Sequence, residues 1–320
     1  MKAAVRSTFG GPEVVRIEEI AKPDLVDDGV LVRVRAASVN RADWYSLTGK
    51  PFIARTQMGL LKPKERQIGT DFAGTVEAVG NDVPDFRPGD EVVGGRTGAF
   101  SEYVVVRNWI ARKPAHLSFE QAATLPTAGV TALQGLRDHG QLQPGQKVLI
   151  NGGSGGVGIF AVQIAKAFGA EVTAVCSTPN VEQMRALGAD AVIDYTRDDF
   201  TRLGQRFDLM LDVAGSRPWS QVKRILAPDA RWVIIGAPKG DPFLGPLSHI
   251  LKTRVAAVGS RQTVTFFIAK FNRTDFDLLG EMTKAGQLTP LFEKTYPLEE
   301  TAKALRHMEG SVRSKIVITI

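Results

Sequence analysis

KVLINGGSGGVGIFAVQIAKAFGA, residues 147–170, contains a short apolar run, a group of glycines and a longer apolar segment in immediate succession. Residues 148–150 form an uninterrupted apolar run, which is typical of a parallel strand that is covered on both faces. From Ile159 to Lys166 the apolar residues recur at helical spacing, and Gly169 stands where a C-terminal glycine cap belongs. The segment therefore predicts a strand, a tight turn and a helix.

The glycines of this segment fit the pattern G-x-G-x-x-G at Gly153, Gly155 and Gly158. In dinucleotide-binding folds these glycines permit the sharp turn, the approach of a pyrophosphate and the packing of helix on strand, respectively. A flexible glycine loop would match the pattern too, but the apolar run at residues 171–176 completes the strand–helix–strand unit that the motif requires. We therefore expect the N–H groups at the start of the helix to bind a dinucleotide pyrophosphate.

The bulk composition is that of an ordinary globular protein. The chain has 320 residues, 43% hydrophobic and 23% charged, and this length predicts two domains. Cys176 is the only cysteine, so the chain can form neither an internal disulfide nor a zinc site of two or four thiolates, and we interpret Cys176 as a core residue. No apolar signal region or membrane-length run is present, from which we expect a cytoplasmic protein.

The net charge of +6 fits either a polyanionic partner or a solvated surface with a pocket for a phosphate-bearing cofactor. Basic residues are spread along the chain and concentrate only in residues 50–66, KPFIARTQMGLLKPKER, which hold five basic residues and one acid. This segment has almost no aromatic interleaving. It predicts a loop that borders a site rather than a nucleic-acid groove.

Two different patterns divide the chain. Residues 1–106 contain short alternating apolar runs separated by turns, which predicts an antiparallel barrel, and residues 118–139 predict a pair of helices, 119–125 and 131–136. The remainder alternates strands with helices, which predicts an open, doubly wound parallel sheet that binds its ligand at the carboxyl ends of the strands. The six candidate strands comprise residues 148–150, 171–176, 191–193, 207–213, 231–235 and 253–258.

Nine segments, in order, resemble blocks of the medium-chain dehydrogenase/reductase superfamily, in its zinc-lacking quinone oxidoreductase-like branch. They are FGGPEVVRIEEI, AASVNRADW, GTDFAGTVEAVG, FRPGDEVVG, GAFSEYVVV, LPTAGVTALQGL, NGGSGGVGIFAVQIAKAFGA, LGADAVIDY and GSVRSKIVITI. The resemblance implies an α/β protein with a GroES-like antiparallel β-barrel catalytic domain in residues 1–125 and a Rossmann NADP-binding domain in residues 126–262. Residues 263–320 would return to the catalytic domain, and the expected assembly is a homodimer.

The resemblance also implies that no catalytic zinc is bound. Zinc-dependent relatives use a cysteine, a His-Glu pair and a later cysteine, whereas this chain has Asn40 and the pair Thr70-Asp71 at the corresponding blocks. Asparagine and threonine supply neither thiolate nor imidazole. The four histidines stand at no ligand spacing to one another. We therefore assign no metal-binding residue.

Several site residues are carried over from the resemblance. Asn40 and Asp43 are expected at the nicotinamide ribose, and Tyr45 offers a phenol to the substrate, although it is equally well read as a structural tyrosine. Thr127 is expected at the nicotinamide or, alternatively, as the N-cap of a helix. With Asn40, the expected cofactor-binding residues are Thr127, Thr131, Gly153, Ser154, Gly155, Gly156, Val157, Gly158, Ser177, Thr178, Tyr195, Ala214, Gly236, Arg313 and Lys315.

The residues that follow the second predicted strand of the Rossmann domain, 171–176, favour NADP over NAD. An NAD site usually presents a carboxylate there, whereas this chain has Ser177 and Thr178, whose hydroxyls can donate to a 2′-phosphate. Pro179-Asn180 follows where the branch often has a basic residue. The missing positive charge is expected from Arg185, Arg313 or Lys315.

The leading hypothesis is an NADPH-dependent, zinc-independent oxidoreductase that transfers hydride to quinones or α,β-unsaturated carbonyls. Alcohol or aldehyde oxidoreduction is a variant within the same class. The rival is a nucleotide- or RNA-binding protein without turnover, which the positive net charge favours. The glycine motif, together with Asn40, Asp43 and Thr127, argues for the enzyme.

Overall fold

The computed structural model describes residues 1–236, 243, 246–310 and 312–320. They form two compact units. The first unit comprises Met1–Val130, Phe271–Gly286 and Pro290–Ile320, and the second comprises Thr131–Lys270 and Gln287–Thr289. The chain thus leaves the first unit after Val130, builds most of the second and returns at Phe271, and it enters the second unit again only for Gln287–Thr289.

The strands are β1 (Lys2–Val5), β2 (Arg16–Glu19), β3 (Val30–Val39), β4 (Asp71–Val79), β5 (Glu91–Gly95), β6 (Tyr103–Val106), β7 (Ile110–Arg112), β8 (Lys147–Asn151), β9 (Glu171–Cys176), β10 (Ala191–Asp194), β11 (Phe207–Asp212), β12 (Leu226–Ile234), β13 (Thr263–Phe266), β14 (Phe292–Pro297) and β15 (Lys315–Thr319). The α-helices are α1 (Arg41–Thr48), α2 (Arg55–Met58), α3 (Phe119–Ala123), α4 (Leu125–Gln134), α5 (Gly158–Ala167), α6 (Val181–Ala186), α7 (Trp219–Val222), α8 (Pro246–Ala256), α9 (Arg273–Lys284) and α10 (Thr301–Glu309).

The first unit is built on a seven-stranded sheet. Its order is β14-β15-β3-β4-β5-β7, with β6 also paired to β3, and β1 and β2 form a separate two-stranded sheet. All these pairs are antiparallel except β14 with β15. Val32, Phe72 and Ile110 belong to its buried core, as the alternating apolar pattern requires. The predicted antiparallel GroES-like domain is confirmed.

The second unit contains a six-stranded parallel sheet in the order β10-β9-β8-β11-β12-β13. The chain proceeds from β8 through β9 to β10 on one side and through β11 to β13 on the other. The carboxyl end of β8, where the glycine turn begins, therefore lies at the point where the strand order reverses, which is the usual ligand-binding position. Leu149, Val175 and Trp232 belong to the buried core. The predicted doubly wound sheet is confirmed.

The sixth predicted strand was misplaced. Residues predicted as a strand at 253–258 lie in α8 and the turn after it, and the sixth strand is β13. Leu251, Val255 and Val258 recur at intervals of four and three residues, which is helical spacing, and all three are exposed. The β-branched residues of this segment favoured a strand, but the period of its apolar residues was that of a helix.

The predicted helix pair is a short helix followed by a longer one. Residues 126–129, predicted to separate two helices, lie inside α4, which continues into a π-helical turn at Gly135–His139. Pro126 does not interrupt α4, because it stands in the first turn, where its missing N–H costs no backbone hydrogen bond.

Candidate active site

Six polar side chains from distant parts of the sequence meet inside the first unit. They come from the β3–α1 junction, from the start of β4, from the first turn of α4 and from β15. Four of them are buried, and hydrogen bonds connect them in pairs. We call this set the polar cluster: Asn40, Asp43, Thr70, Asp71, Thr127 and Lys315.

The β3–α1 junction positions the first two members. Asn40 follows the last residue of β3, and its backbone N–H donates to Oδ2 of Asp43 over 2.7 Å. This bond satisfies a backbone donor at the helix start and places a carboxylate in the first turn, where the helix dipole favours it. The side-chain amide of Asn40 donates to the carbonyl of Ser38 at 3.3 Å. Asn40 and Asp43, both predicted from the sequence, are therefore brought together.

Asp43 is almost completely enclosed, with 2% of its surface exposed. Its Oδ1 accepts a 2.7 Å hydrogen bond from the hydroxyl of Thr70. Burial raises the pKa of Asp43 to about 7, and the neighbouring carboxylate of Asp71 acts in the same direction. The bonds from Thr70 and Asn40 and the charge of Lys315 oppose this shift in pKa. Both protonation states of Asp43 are thus accessible near neutral pH.

Asp71 caps helix α4. Its two oxygens accept from the backbone N–H of Thr127 at 3.0 Å and from the hydroxyl of Thr127 at 2.6 Å. The first N–H groups of a helix lack intrahelical partners, so a buried carboxylate is well accommodated there. Burial nevertheless raises the pKa of Asp71. Thr127 lies within α4, and the alternative that it serves as the N-cap is wrong.

Lys315 contributes a buried ammonium group to the polar cluster. Its Nζ donates to the carbonyl of Val39 at 3.1 Å and to Oδ1 of Asn40 at 2.5 Å. Burial lowers the pKa of Lys315, whereas the charges of Asp71 and Asp43 raise it. The expectation that Lys315 is a candidate for the 2′-phosphate is wrong, because its ammonium group is enclosed and bonded inside the first unit.

Arg6, at the end of β1, is a charged group that the sequence analysis missed. Its side chain is 2% exposed, and its Nη2 donates to the hydroxyl of Ser46 at 3.0 Å. Burial lowers the pKa of Arg6 to about 10, and the charge of Asp43 opposes that change. Nε and Nη1 have no hydrogen-bond partner among the described residues. An arginine at the end of an alternating strand gives no sequence signal of such burial.

Two other predicted residues of the first unit stand apart from the polar cluster. Tyr45 is 37% exposed on α1, and within the described residues no hydrogen bond joins its hydroxyl to the cluster. Arg313 is exposed, and its backbone N–H donates to Glu293 at 2.8 Å. Their predicted roles remain predictions.

In the second unit, the glycine turn has one glycine position that is closed to a side chain and one that is open. Gly152, just before the motif, has a φ of +87°, and the N–H groups of Gly152 and Gly153 donate to the carbonyl of Val175. A Cβ at Gly158 would lie 2.2 Å from the Gly152 oxygen, whereas a Cβ at Gly155 would meet only that oxygen, at 3.4 Å. The fold thus requires a glycine at position 158 and leaves open space at position 155. These features fit a bound pyrophosphate.

The predicted strand–turn–helix is confirmed in its local geometry. α5 begins at Gly158, and Gly169 adopts the left-handed conformation, with a φ of +78°, after the helix ends. Ser154 accepts a 3.1 Å hydrogen bond from the side chain of Asn180. Gly156 and Val157 lie between this serine and the helix, and Thr131 is buried in α4. Whether these residues contact a cofactor stays a prediction.

A buried carboxylate fixes the strand ends beside the glycine turn. Asp212 closes β11, and its Oδ1 accepts from the side chain of Asn151 at 2.7 Å and from the N–H of Gly215 at 2.8 Å. Its Oδ2 accepts from the indole of Trp232 at 3.2 Å. Burial raises the pKa of Asp212 to about 6. The sequence carries a signal for this network that we missed, namely a polar residue closing each of two neighbouring apolar strands.

Predicted residues Ala214 and Gly236 belong to the same edge. The N–H of Ala214 donates to the carbonyl of Asn151, and the N–H of Gly236 donates to the carbonyl of Asp212. A Cβ at Gly236 would lie 1.9 Å from the Val213 oxygen, so only glycine fits there. The fold alone accounts for Gly236, and a cofactor contact at either residue remains a prediction.

The loop after β9 was expected to form a ribose-binding site that contains no acidic residue, and the structure differs from this expectation. The hydroxyl of Thr178 donates to Asp194 at the end of β10, over 2.5 Å, and the hydroxyl of Thr196 donates to the same carboxylate at 2.7 Å. These bonds lower the pKa of Asp194, with the bond from Thr178 as the largest cause. Ser177 accepts from the side chain of Asn180 at 3.1 Å. An acid therefore lies beside Thr178, contrary to prediction.

The remaining expectations for this loop concern single residues. Tyr195 is exposed, and its N–H donates to the carbonyl of Cys176 at 3.0 Å. Arg185 forms an ion pair with Glu182 at 2.6 Å on α6. Cys176 itself is buried, and burial raises its thiol pKa to about 11, which agrees with a core residue rather than a nucleophile.

The described ranges contain no cluster of three or more histidine, cysteine, aspartate or glutamate side chains arranged to hold a metal ion. No helix in the same ranges has the length and apolar character needed to cross a bilayer. The absence of a bound zinc remains a prediction that rests on the residue types at the expected ligand positions.

Two family models match the chain. The alcohol dehydrogenase GroES-like domain matches residues 26–115, and the zinc-binding dehydrogenase domain matches residues 187–318. The mitochondrial NAD(P)H oxidoreductase RTN4IP1 of Bos taurus is 34% identical over 100% of this chain and 89% of its own. The chloroplastic quinone-oxidoreductase QR1 of Triphysaria versicolor is 29% identical over 97% of this chain and 95% of its own. The expected cytoplasmic location is therefore wrong, because these relatives are organellar proteins.

A solved structure agrees with both units. The quinone oxidoreductase from Coxiella burnetii is 30% identical, with a TM-score of 0.90 over 100% of this chain and 99% of that chain. The similarity to this structure thus covers the whole chain, including the glycine turn, the parallel sheet and the antiparallel domain. It follows that the chain belongs to the medium-chain dehydrogenase/reductase superfamily, in its quinone oxidoreductase-like branch, as an NAD(P)H oxidoreductase.

Proposed function

We propose that the protein is an NADPH-dependent, zinc-independent reductase of quinones and α,β-unsaturated carbonyl compounds. The observation that carries this proposal is the polar cluster. Asn40 and Asp71, at two of the expected metal-ligand positions, are engaged by Lys315 and Thr127, respectively. A buried ammonium group stands beside the two carboxylates, where a metal-dependent enzyme would need a free set of ligands.

The chemistry of hydride transfer connects this cluster with the substrate class. Reduction of a simple carbonyl places the negative charge on one alkoxide oxygen, which a metal ion stabilises strongly. Reduction of a quinone or an enone spreads the charge over a conjugated system. Hydrogen-bond donors are then sufficient to stabilise the product. A reductase without a Lewis acid is therefore best suited to conjugated substrates, in agreement with the names of the quinone oxidoreductases to which the chain is similar.

The glycine turn is proposed to hold the cofactor pyrophosphate. Open space borders the backbone at Gly155, and the positive end of the α5 dipole lies at this turn, where it favours an anion. When bound, the nicotinamide cofactor supplies the hydride. The buried contacts of Asp212 with Asn151 and Gly215 keep the adjacent strand ends in register for this binding.

NADPH is proposed over NADH, with a moderate preference. Among the described residues, the hydroxyl of Ser177 accepts from Asn180 and donates to no other group, so its proton is available to a 2′-phosphate. The hydroxyl of Thr178 is already bonded to Asp194, whose charge works against phosphate binding. We expect a preference of about tenfold, equivalent to about 1.4 kcal/mol.

Steady-state kinetics with quinones, enones and simple aldehydes, each with NADPH and NADH, test this function. We expect turnover of the conjugated substrates with NADPH, in protein that contains less than stoichiometric zinc by elemental analysis and keeps its activity in chelator. Activity restricted to aldehydes with one tightly bound zinc per chain would identify an alcohol or aldehyde oxidoreductase instead. Binding of NADPH without any turnover would favour the non-catalytic alternative.

A further inference from the structure

The two oxygens of the Asp43 carboxyl group have different partners. Oδ2 accepts from the backbone N–H of Asn40, and Oδ1 meets the hydroxyl of Thr70, both over 2.7 Å. A backbone N–H can only donate, whereas a hydroxyl can donate or accept. When Asp43 is protonated, its proton finds an acceptor at Oδ1, in the hydroxyl of Thr70, whereas the N–H group that faces Oδ2 cannot accept it.

Protonation of Asp43 consequently reverses one hydrogen bond. The Thr70 hydroxyl donates to the carboxylate but must accept from the carboxylic acid, and its own proton then turns away from Asp43. Thr70 is partly exposed, while Asp43 is buried. Thr70 is thus the member of the pair that a ligand can reach, and it can pass on a proton that it receives from the enclosed acid.

The charges that face Asp43 come from three other elements. Asp71 at the start of β4 favours the protonated form, Lys315 on β15 favours the carboxylate, and Arg6 at the end of β1 also interacts electrostatically with it. Burial is the largest effect and brings the pKa of Asp43 to about 7. A proton donor works best when its pKa lies close to the working pH.

We propose that Thr70 delivers the proton that completes reduction of the substrate and that Asp43 replaces it. This inference rests on the proposed function. The reduced nicotinamide, when bound, would supply the hydride. As the hydride forms its new bond to the conjugated substrate, the π electrons shift along the conjugated system and leave the negative charge on the carbonyl oxygen. The proton of Thr70 leaves its hydroxyl oxygen and bonds to this carbonyl oxygen, and the proton of Asp43 leaves Oδ1 and bonds to the Thr70 oxygen. A quinone thereby becomes a hydroquinone, and an enone becomes an enol that tautomerises to the saturated ketone in water. Asp43 is left as a carboxylate and takes its next proton from water after the product leaves.

The test compares Thr70→Val, which keeps the shape and removes the hydroxyl, with Thr70→Ser, which restores it. The measurement is kcat for an enone with NADPH between pH 6 and 9, in water and in deuterium oxide. The parent kcat should fall as the pH rises through about 7. Thr70→Val should lower kcat by about 10²-fold and abolish both this pH dependence and the solvent isotope effect, while the Kd for NADPH stays unchanged. Thr70→Ser should keep the pH dependence.

Thr75→Val is the matched control. Thr75 lies on β4, is partly buried like Thr70, and has no side-chain hydrogen bond in the described structure. It should resemble the parent. Asp43→Asn should lose the same pH dependence, and thermal melting of every variant shows whether it is folded. Turnover by a folded Thr70→Val variant with the parent kcat and pH profile would refute the relay alone. Absence of turnover by the parent with every quinone and enone would remove the proposed function and, with it, the relay.

Discussion

Two glycines of the same turn should respond to substitution in opposite ways. A Cβ at Gly158 would lie 2.2 Å from the oxygen of Gly152 and 2.5 Å from that of Gly153, both backbone atoms. At Gly155 the nearest atom is the Gly152 oxygen, at 3.4 Å, and the backbone is not in the left-handed region. A side chain at position 155 therefore fits the protein and fills the space proposed for the pyrophosphate.

The magnitudes follow from these contacts. Gly158→Ala forces backbone atoms apart, which costs about 1–3 kcal/mol of the free energy of unfolding and lowers the melting temperature by roughly 2–4 °C per kcal/mol. Gly155→Val leaves stability nearly unchanged but displaces the pyrophosphate. The loss of two charge-assisted hydrogen bonds at about 1.5–3 kcal/mol each corresponds to a roughly 10²- to 10⁴-fold higher Kd for NADPH.

Calorimetric titration with NADPH and thermal melting of the unliganded variants measure the two effects separately. Gly155→Ala provides a smaller step at the same position and should fall between the parent and Gly155→Val in affinity. Parent-like affinity in a folded Gly155→Val variant would refute the assignment of the turn as the pyrophosphate site. A Gly155→Val variant that melts below Gly158→Ala would refute the packing argument.

Three further predictions concern other parts of the molecule. Ser177→Asp should reverse the cofactor preference in kcat/KM, because it repels a 2′-phosphate and accepts from a ribose hydroxyl; a variant that still prefers NADPH would contradict this. Asp212→Asn should gain stability relative to the parent as the pH rises from about 4 to 6. Burial raises the pKa of Asp212 in the folded parent to about 6, so the free energy of unfolding of the parent falls as this carboxyl group ionises, whereas asparagine does not ionise. The same pH dependence for both proteins in urea unfolding would contradict this. Leu251→Glu should shift the predicted homodimer toward monomer in sedimentation, because Leu251 is exposed in an apolar stripe of α8, whereas Lys252→Glu should not.

The parts of the fold that the sequence predicted well are those with local causes. The apolar run of β8, the glycine turn and α5 depend on neighbouring residues, and the positive φ of Gly169 was predictable because only glycine adopts it without strain. The strand predicted at residues 253–258 failed because its residue types and its spacing favoured different elements. A period of three and four residues was the better guide.

Contacts across strands were not predictable in the same way. Thr178 and Asp194 are 16 residues apart, and they meet because β9 and β10 pair in a parallel register that sets Asp194 opposite Cys176. The rule that places the ribose-binding acid at the end of the second strand considers only the residues of that strand. The rule therefore missed the carboxylate of Asp194, which lies at the end of the neighbouring strand β10.

The polar cluster and Arg6 were the least predictable part of the site. The free energy that is needed to bury their charges indicates that they serve a function. Removing a charge from water costs several kcal/mol, and a buried ion pair is often no more stable than apolar residues of similar volume. The first unit nevertheless buries Arg6 and Lys315 together with Asp43 and Asp71, two positive and two negative groups. Packing alone gives no reason for this arrangement, since apolar side chains could close the same space. The arrangement does have a chemical use. The opposing charges and the burial together bring the pKa of Asp43 to about 7, and the hydroxyl of Thr70 beside it can be reached by a ligand, so the pair is suited to the controlled transfer of a proton.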